Sequence, residues 1–311
     1  MLRIRHLAVQ KFPGTAILTV FVSGTLWIGG CQIDRRGGTA GEQADTTAAQ
    51  TDTVEAADST SAGLSLDRDS TADRRYYIDY SALAQLPPDV QYAARGWAVE
   101  RKNHFLRLSQ ERSEAPDQPH LWELIIDFEV PMDSGAFVSA VGESYSYTGG
   151  AHGINQYETF NYDTQTGRQI GLSSLFADTS ALRPISAYAR TQLEARLLEE
   201  PPQDTSSSTK AMREAMERLR AWIRQGTAPI RGNYRLLYLV PAADGKAAGI
   251  GIIFSPYQIA PGAAGTQTLF VPTSVFQDQL KPDDRDRFST AKPVGELHLG
   301  GEIRETGEQG R

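Results

Sequence analysis

Residues 121–130 read LWELIIDFEV, a stretch that combines large apolar residues with three acidic ones. Its large apolar residues occupy alternate positions, namely Trp122, Leu124, Ile126, Phe128 and Val130. Three of the positions between them are acidic: Glu123, Asp127 and Glu129. A period of two predicts a β-strand with one buried face and one polar face.

The sequence on either side predicts further strands. Residues 136–147 and 154–162 alternate more weakly and flank a glycine-rich turn, which favours a β-hairpin. Later, YRLLYLVP (234–241), GIGIIF (249–254) and LFVP (269–272) are typical of strands, with a turn at Asp244 and Gly245 between the first two.

Two helices are predicted between these groups of strands. Apolar residues recur every three or four positions in residues 182–197 and again in residues 212–223. The segment EEPPQDTSSST between them is typical of a helix end and a loop. Strands followed by helices and further strands predict an α+β fold, with a mainly antiparallel sheet packed with two or more helices.

The N-terminus is typical of an export signal. Arg3, Arg5 and Lys11 precede the apolar run 16–28, which is short for a membrane span, and the run ends in Ile-Gly-Gly before Cys31. This resembles a bacterial lipobox, which implies cleavage after residue 30 and a lipid on Cys31. The alternatives are an uncleaved anchor or an ordinary secretory signal with an incidental cysteine. Because Gln32 follows the cysteine, the outer membrane is the expected location, facing the periplasm, if the host has two membranes.

Composition predicts how the mature chain is divided. Residues 31–75 contain no aromatic residue and are rich in Thr, Ala, Asp and Ser, which predicts a disordered tether. Residues 76–178 and 179–280 are predicted to form the N-terminal and C-terminal parts of an ectodomain. Residues 281–311 are again rich in charged residues and glycine, and we expect them to form a disordered tail.

The charge balance excludes one class of partner. The formal net charge is −7, and removal of the signal peptide takes away three basic residues and no acidic one. Proteins that bind nucleic acid use basic patches, so we expect no nucleic-acid partner.

The sequence shows no pattern typical of a metal site or of a catalytic nucleophile. The mature histidines, at positions 104, 120, 152 and 298, are far apart in the sequence, whereas zinc ligands usually occur in closely spaced pairs. The Gly-x-Ser-x-Gly pattern of a nucleophile elbow is absent. We therefore expect no cofactor, no metal and no identifiable catalytic residue.

The hairpin turn SYSYTGGAHG (144–153) is the main candidate site, with candidate ligand-binding residues Tyr145, Tyr147, Thr148, Gly149, Gly150, His152 and Gly153. Alternation along the strand places Tyr145 and Tyr147 on one face, and aromatic faces beside backbone donors suit sugars or a protein loop. Two other interpretations stay open. One is a simple glycine turn that is held by a hydrogen bond between His152 and a neighbouring carbonyl, and the other is catalysis by His152.

Two stretches resemble a known family. SYSYTGGAHGINQYETFNYDTQTGRQIGLSSLF and GIGIIFSPYQIAPGAAGTQTLFVP are similar to the two signatures of an extracytoplasmic domain pair of unknown function. This pair occurs in the ectodomain of the lysozyme-sensing anti-sigma-V factor, in some peptidoglycan deacetylases and in many bacterial lipoproteins. Pro256, Tyr257 and Pro261 match its second motif and become ligand-binding candidates, although Gly262 stands where the family usually has a tyrosine.

The resemblance implies an α+β ectodomain in the cell envelope. The expected function is a lipid-anchored protein that binds a ligand without catalysis, the ligand being envelope glycan or a lysozyme-like wall-cleaving enzyme. Two alternatives stay open: a hydrolase acting on wall polymers, with His152 as base and a carboxylate to orient it, and a purely structural envelope protein. For PYQIAP, the alternative to ligand binding is a structural role, in which the prolines fix a bend that closes the core.

Overall fold

A computed structural model describes residues 65–113, 121–198 and 207–295. Contacts divide the chain into residues 1–59, which lie outside the described part, and a compact unit of residues 60–311. The expected signal peptide, the lipidation site at Cys31, most of the tether, and His120 and His298 also lie outside the described residues. No helix in the described ranges is both long and apolar enough to cross a membrane.

The first sheet has five strands in the order β1-β2-β3-β4-β5. They are β1 (Leu66–Ser70), β2 (Arg74–Asp79), β3 (Trp122–Ser134), β4 (Phe137–Tyr147) and β5 (Ile154–Asp163). All neighbours pair antiparallel except β2 and β3, which are parallel. The strand predicted at residues 121–130 and the hairpin beside it are both present.

The second sheet has three antiparallel strands, and helices complete the fold. The strands are β6 (Leu237–Pro241), β7 (Ala247–Phe254) and β8 (Gln267–Pro272), in that order. The helices are α1 (Pro88–Ser113), α2 (Leu172–Leu175), α3 (Leu182–Leu197), α4 (Ser207–Gly226) and α5 (Pro282–Arg285). The prediction of an α+β fold with mainly antiparallel pairing is confirmed, but β6 begins at Leu237 because residues 231–234 form a short 3-10 helix.

Buried polar side chains join the two sheets. Strand β6 is an edge of its sheet, and its backbone meets the face of the first sheet. The Asn161 side-chain amide donates to the carbonyl of Leu237 at 2.8 Å, and the Leu239 amide donates to the Ser139 hydroxyl at 3.1 Å. The Ser139 hydroxyl in turn donates to Asn161 at 2.5 Å. Two backbone groups on the edge of β6 are thereby satisfied without a neighbouring strand.

The prediction of a disordered tether through residue 75 is wrong for its last ten residues. Although the sequence LDRDS in β1 is almost entirely polar, it pairs with β2, and β2 pairs with β3. Ile78 and Tyr80, both buried, fasten this segment to the core. A polar segment becomes ordered here because it extends a sheet that is already stabilised by its other strands.

The prediction of a disordered tail is wrong for residues 281–295. Pro282 opens the short helix α5, a position where its missing amide costs nothing. Phe288 is buried, with its ring centroid 5.6 Å from that of Phe137 and 5.8 Å from that of Phe276. Arg287 donates to Asp163 at 2.8 Å, so the segment is held by both packing and charge.

Helix α1, the longest in the described chain, has no counterpart among the sequence predictions. Its buried face uses small residues, among them Ala94 and Ala98, whereas Tyr92 and Val99 are exposed at 83% and 41% on other faces. Apolar residues on several faces obscure the helical period.

Candidate functional site

The glycine turn between β4 and β5 depends on two of its glycines. Gly149 has a φ of +87°, a left-handed conformation that favours glycine. Gly153 lies against the ring of Tyr145, since a Cβ at that position would be 2.2 Å from a ring carbon. Thr148 and Gly150 are exposed. The turn therefore has a structural function, and Gly153 also fixes where the Tyr145 ring lies.

His152 is exposed in this turn, and its ring Nδ1 lies 3.1 Å from the carbonyl oxygen of Gly153. This is the geometry expected if the imidazole locks the turn. None of the described contacts of His152 is with a carboxylate that could orient it as a base.

Two tyrosines, on strands β2 and β4, lie in one row across the first sheet. Strand register places Tyr77 of β2 opposite Ile125 of β3, and Ile125 opposite Tyr145 of β4. Strands are about 4.8 Å apart, so the two tyrosines stand roughly 10 Å from each other. Tyr147 lies two residues beyond Tyr145 on the same face. We call Tyr77, Ile125, Tyr145 and Tyr147 the tyrosine face; all four are partly exposed.

Carboxylates border the tyrosine face on both sides. Glu123 lies opposite Tyr147, and Asp127 lies opposite Glu143. Burial, followed by the Glu123 carboxylate and the Tyr147 hydroxyl, raises the pKa of Tyr145. The phenol hydrogen therefore stays in place at neutral pH, available as a donor to a ligand.

Tyr77 has a similar environment at the other end of the row. Burial raises its pKa, and so do the carboxylates of Asp79 and Asp127, against a smaller opposite effect from Arg68. The Arg75 guanidinium next to it bonds to Glu123 at 2.6 Å.

Tyr157 joins the two sequence motifs and was missed by sequence analysis. Its hydroxyl donates to the Glu143 carboxylate at 2.8 Å and lies 2.8 Å from the hydroxyl of Thr266. Burial is the main cause that raises the pKa of Tyr157, and the Glu143 carboxylate adds to it. Because Thr266 follows PYQIAPGAAG, this contact fixes the second motif at the border of the tyrosine face. Tyr157 pairs with Glu143 in the hairpin, a relationship that strand register could have indicated.

The second motif forms a separate aromatic surface. Tyr257 is 57% exposed and has a φ of +68°, and its carbonyl accepts a hydrogen bond from the Trp222 indole at 2.9 Å. Its ring covers Gly262, where a Cβ would be 2.3 Å from a ring carbon. This chain therefore has no room for the family's usual tyrosine at position 262 while Tyr257 keeps this orientation. We call Trp222 and Tyr257 the Tyr257 patch.

The remaining residues of PYQIAP shape the bend. Ile259 and Ala260 are buried in the core. The Gln258 amide donates to the carbonyls of Asn233 at 3.0 Å and Gly226 at 3.3 Å. Pro261 is exposed and Pro256 is partly exposed. The bend thus closes the core on one side and presents Tyr257 on the other.

The structure groups the predicted site residues into two sets. Tyr145 and Tyr147 share the tyrosine face, while Tyr257 lies in the Tyr257 patch; none of the described contacts joins these two surfaces directly. The link between the motifs is Tyr157. Within residues 65–113, 121–198 and 207–295, no three His, Cys, Asp or Glu side chains are grouped so as to hold a metal ion.

Two family models match the chain in succession. Residues 93–155 match the model described as Deacetylase PdaC, and residues 173–274 match the model described as Protein of unknown function (DUF3298). The expected domain pair is therefore present. The first match ends just after the glycine turn, and the second includes the Tyr257 patch.

One curated relative is the peptidoglycan-N-acetylmuramic acid deacetylase PdaC of Bacillus subtilis (strain 168), 26% identical over 195 residues. The alignment covers 61% of this chain and 37% of the relative, so the chain spans little more than a third of that enzyme's length.

Two solved structures of the DUF3298 family are also similar at 15% identity. One is from Bacteroides fragilis, with a TM-score of 0.44, covering 70% of this chain and 92% of that chain. The other is from Pseudomonas aeruginosa PAO1, with a TM-score of 0.42, covering 70% and 94%.

Proposed function

We propose that this chain is a lipid-anchored cell-envelope protein that binds glycan strands through the tyrosine face and catalyses no reaction on them. The Ile-Gly-Gly-Cys sequence ending at Cys31 supports the anchor. The two family matches and the relative that is named a peptidoglycan deacetylase support an envelope function. Peptidoglycan is accordingly the glycan that we propose.

The observation that carries the proposal is the row from Tyr77 through Ile125 to Tyr145, with Tyr147 beside it. Sugar rings stack their C–H faces on aromatic rings, and their hydroxyls bond to polar groups at the ring edges. Repeated aromatic positions about 10 Å apart across a sheet suit a ligand that is itself a row of rings.

Binding suits the geometry better than hydrolysis. A general base must be oriented by a partner and placed within hydrogen-bonding reach of the proton it takes. The contact of His152 within the described part of the chain is with the carbonyl of Gly153, and it holds the turn. Glu143 receives its hydrogen bond from Tyr157 at the border of the row.

The test is sedimentation of the purified protein with insoluble peptidoglycan, followed by calorimetry with soluble fragments. We expect Tyr145→Ala and Tyr147→Ala each to weaken binding by tenfold or more, which is about 1.4 kcal/mol. Tyr92→Ala is the matched control, because Tyr92 is 83% exposed on α1 and lies outside the tyrosine face. Equal binding by all three variants would refute the assignment of the site.

A protein ligand is the second candidate, and the Tyr257 patch favours it. Exposed aromatic residues on a rigid bend are common at protein interfaces. If the ligand is a lysozyme-like wall-cleaving enzyme, its binding should be lost in Tyr257→Ala and preserved in Tyr145→Ala. Glycan binding should show the opposite pattern, with loss in Tyr145→Ala and preservation in Tyr257→Ala. The two functions would then belong to separate surfaces.

A further inference from the structure

The charges around the tyrosine face restrict the kind of glycan that fits it. In register, Asp127 and Glu143 form a carboxylate pair on one side of the row, and Glu123 lies on the other side opposite Tyr147. Asp127 is exposed, and Glu143 is partly exposed. A sugar ring stacked on Tyr145 would therefore have carboxylates on both sides.

Basic groups near the row lie at its other end. Arg75 of β2 donates a hydrogen bond to the Glu123 carboxylate. Arg68 of β1 lies opposite Tyr77 in the strand register. Around Tyr145 itself, the charged neighbours in the register of β3 and β4 are acidic. Because Arg75 offsets the charge of Glu123, the negative charge beside Tyr145 comes chiefly from Asp127 and Glu143.

Resting on the glycan-binding function proposed above, we infer that the tyrosine face prefers a glycan whose sugars carry free amino groups over the N-acetylated form. A protonated amine on the stacked sugar can form charge-assisted hydrogen bonds with Asp127 or Glu143. It is also attracted by the faces of Tyr77 and Tyr145. An acetyl group removes the charge and adds bulk beside the carboxylates.

A sugar chain fits this surface better than a compact cation does. Isolated exposed ion pairs contribute little because water screens them, so the carboxylates alone would hold a small amine weakly. The tyrosine row adds stacking at two positions, and a polymer of rings can use both at once. Charge then selects among glycans that the aromatic row already holds.

The experiment compares two hexasaccharides of equal length by calorimetry on the purified protein: fully N-acetylated chitohexaose and its fully de-N-acetylated counterpart. We expect the amine form to bind at least tenfold more tightly, with the difference shrinking as salt is added. Asp127→Asn should reduce the preference severalfold. Asp133→Asn is the matched control, since Asp133 is also exposed in β3 but lies beyond the register shift between Glu129 and Met132, and the preference should persist.

Tyr145→Ala separates specific from non-specific attraction. It keeps every carboxylate, so loss of amine-glycan binding in this variant supports the inference, and undiminished binding overturns it. Equal affinity for the two hexasaccharides overturns the preference but leaves the glycan-binding function standing. Binding of neither overturns both. Binding of neither sugar together with binding of a basic protein that depends on Asp127 would assign the face to a protein partner instead.

Discussion

The side-chain amide of Asn161 donates a hydrogen bond to the carbonyl oxygen of Leu237 at 2.8 Å, and this bond joins the two sheets. Both residues are buried, with Asn161 2% exposed. The bond holds the β6 edge against the sheet that displays the tyrosine face. The position of the second motif beside that face therefore depends on a buried polar contact.

Asn161→Ala should lower the free energy of unfolding by about 1–3 kcal/mol, because it leaves the Leu237 carbonyl without its donor and the hydrogen of the Ser139 hydroxyl without its acceptor. Urea denaturation measures this change. Asn103→Ala is the matched control on the exposed surface of α1, where alanine is a better helix former and the stability should not fall. A loss at Asn161 no larger than that at Asn103 would contradict the structural role.

Gly153→Ala should weaken glycan binding while the protein stays folded. The new Cβ would lie 2.2 Å from the Tyr145 ring, so the ring must move away from its place in the row. Gly150→Ala is a close control, since its Cβ would be 3.8 Å from the nearest atom in the same turn. Calorimetry with peptidoglycan fragments compares the two, and equal affinities would show that the Tyr145 orientation does not matter.

Sequence analysis recovered the parts of the fold in which one face is apolar. Residues 121–130 alternate clearly, the hairpin after them alternates more weakly but flanks a glycine turn, and α3 and α4 follow a helical period. Helix α1 was missed because its buried positions include alanines. The buried face of α1 packs closely on β4 at Gly142. A Cβ at this position would be 2.7 Å from the Trp97 ring, so the absence of a side chain lets the helix approach the strand.

The candidate site was predicted only in part, for a related reason. A pattern along one strand places Tyr145 and Tyr147 on the same face, but it gives no information about strand β2. Tyr77 joins the row through the parallel pairing of β2 with β3, which follows from a connection through α1 that was not predicted. Thr266 meets Tyr157 across 109 positions of sequence, which no local pattern indicates.

Asp163 should make stability depend on pH. Burial opposes its charge, but hydrogen bonds from the Thr166 and Gln165 amides and from Arg287 outweigh burial and lower its pKa. The folded pKa is thus below the unfolded value of about 3.9. The stabilisation is fully present above the unfolded pKa and is lost as the pH falls through the folded pKa.

The measurement is urea denaturation at pH 7 and at pH values down to about 2, for the unchanged chain and for Asp163→Asn. At pH 7 the variant should be less stable by about 1 kcal/mol or more, and the difference should shrink as the pH falls. Asp133→Asn, an exposed aspartate of the same sheet, tests for a general effect of removing a carboxylate. A difference that stays constant with pH would exclude this role of Asp163.

At position 257 a glycine variant should be more stable than an alanine variant, which is the reverse of the order inside a helix. Its φ of +68° costs an L-residue roughly 1–2 kcal/mol, a cost that glycine avoids. Both Tyr257→Gly and Tyr257→Ala remove the ring and keep the carbonyl that accepts from Trp222, so their difference isolates the backbone strain. We expect the glycine variant to be the more stable by about 1 kcal/mol in urea denaturation. At Tyr92, inside α1, the same pair should differ by a similar amount in the opposite direction, because glycine is the poorer helix former. If alanine is at least as stable as glycine at position 257, the backbone there is not held in the left-handed conformation, and the Tyr257 ring would then be free to leave Gly262.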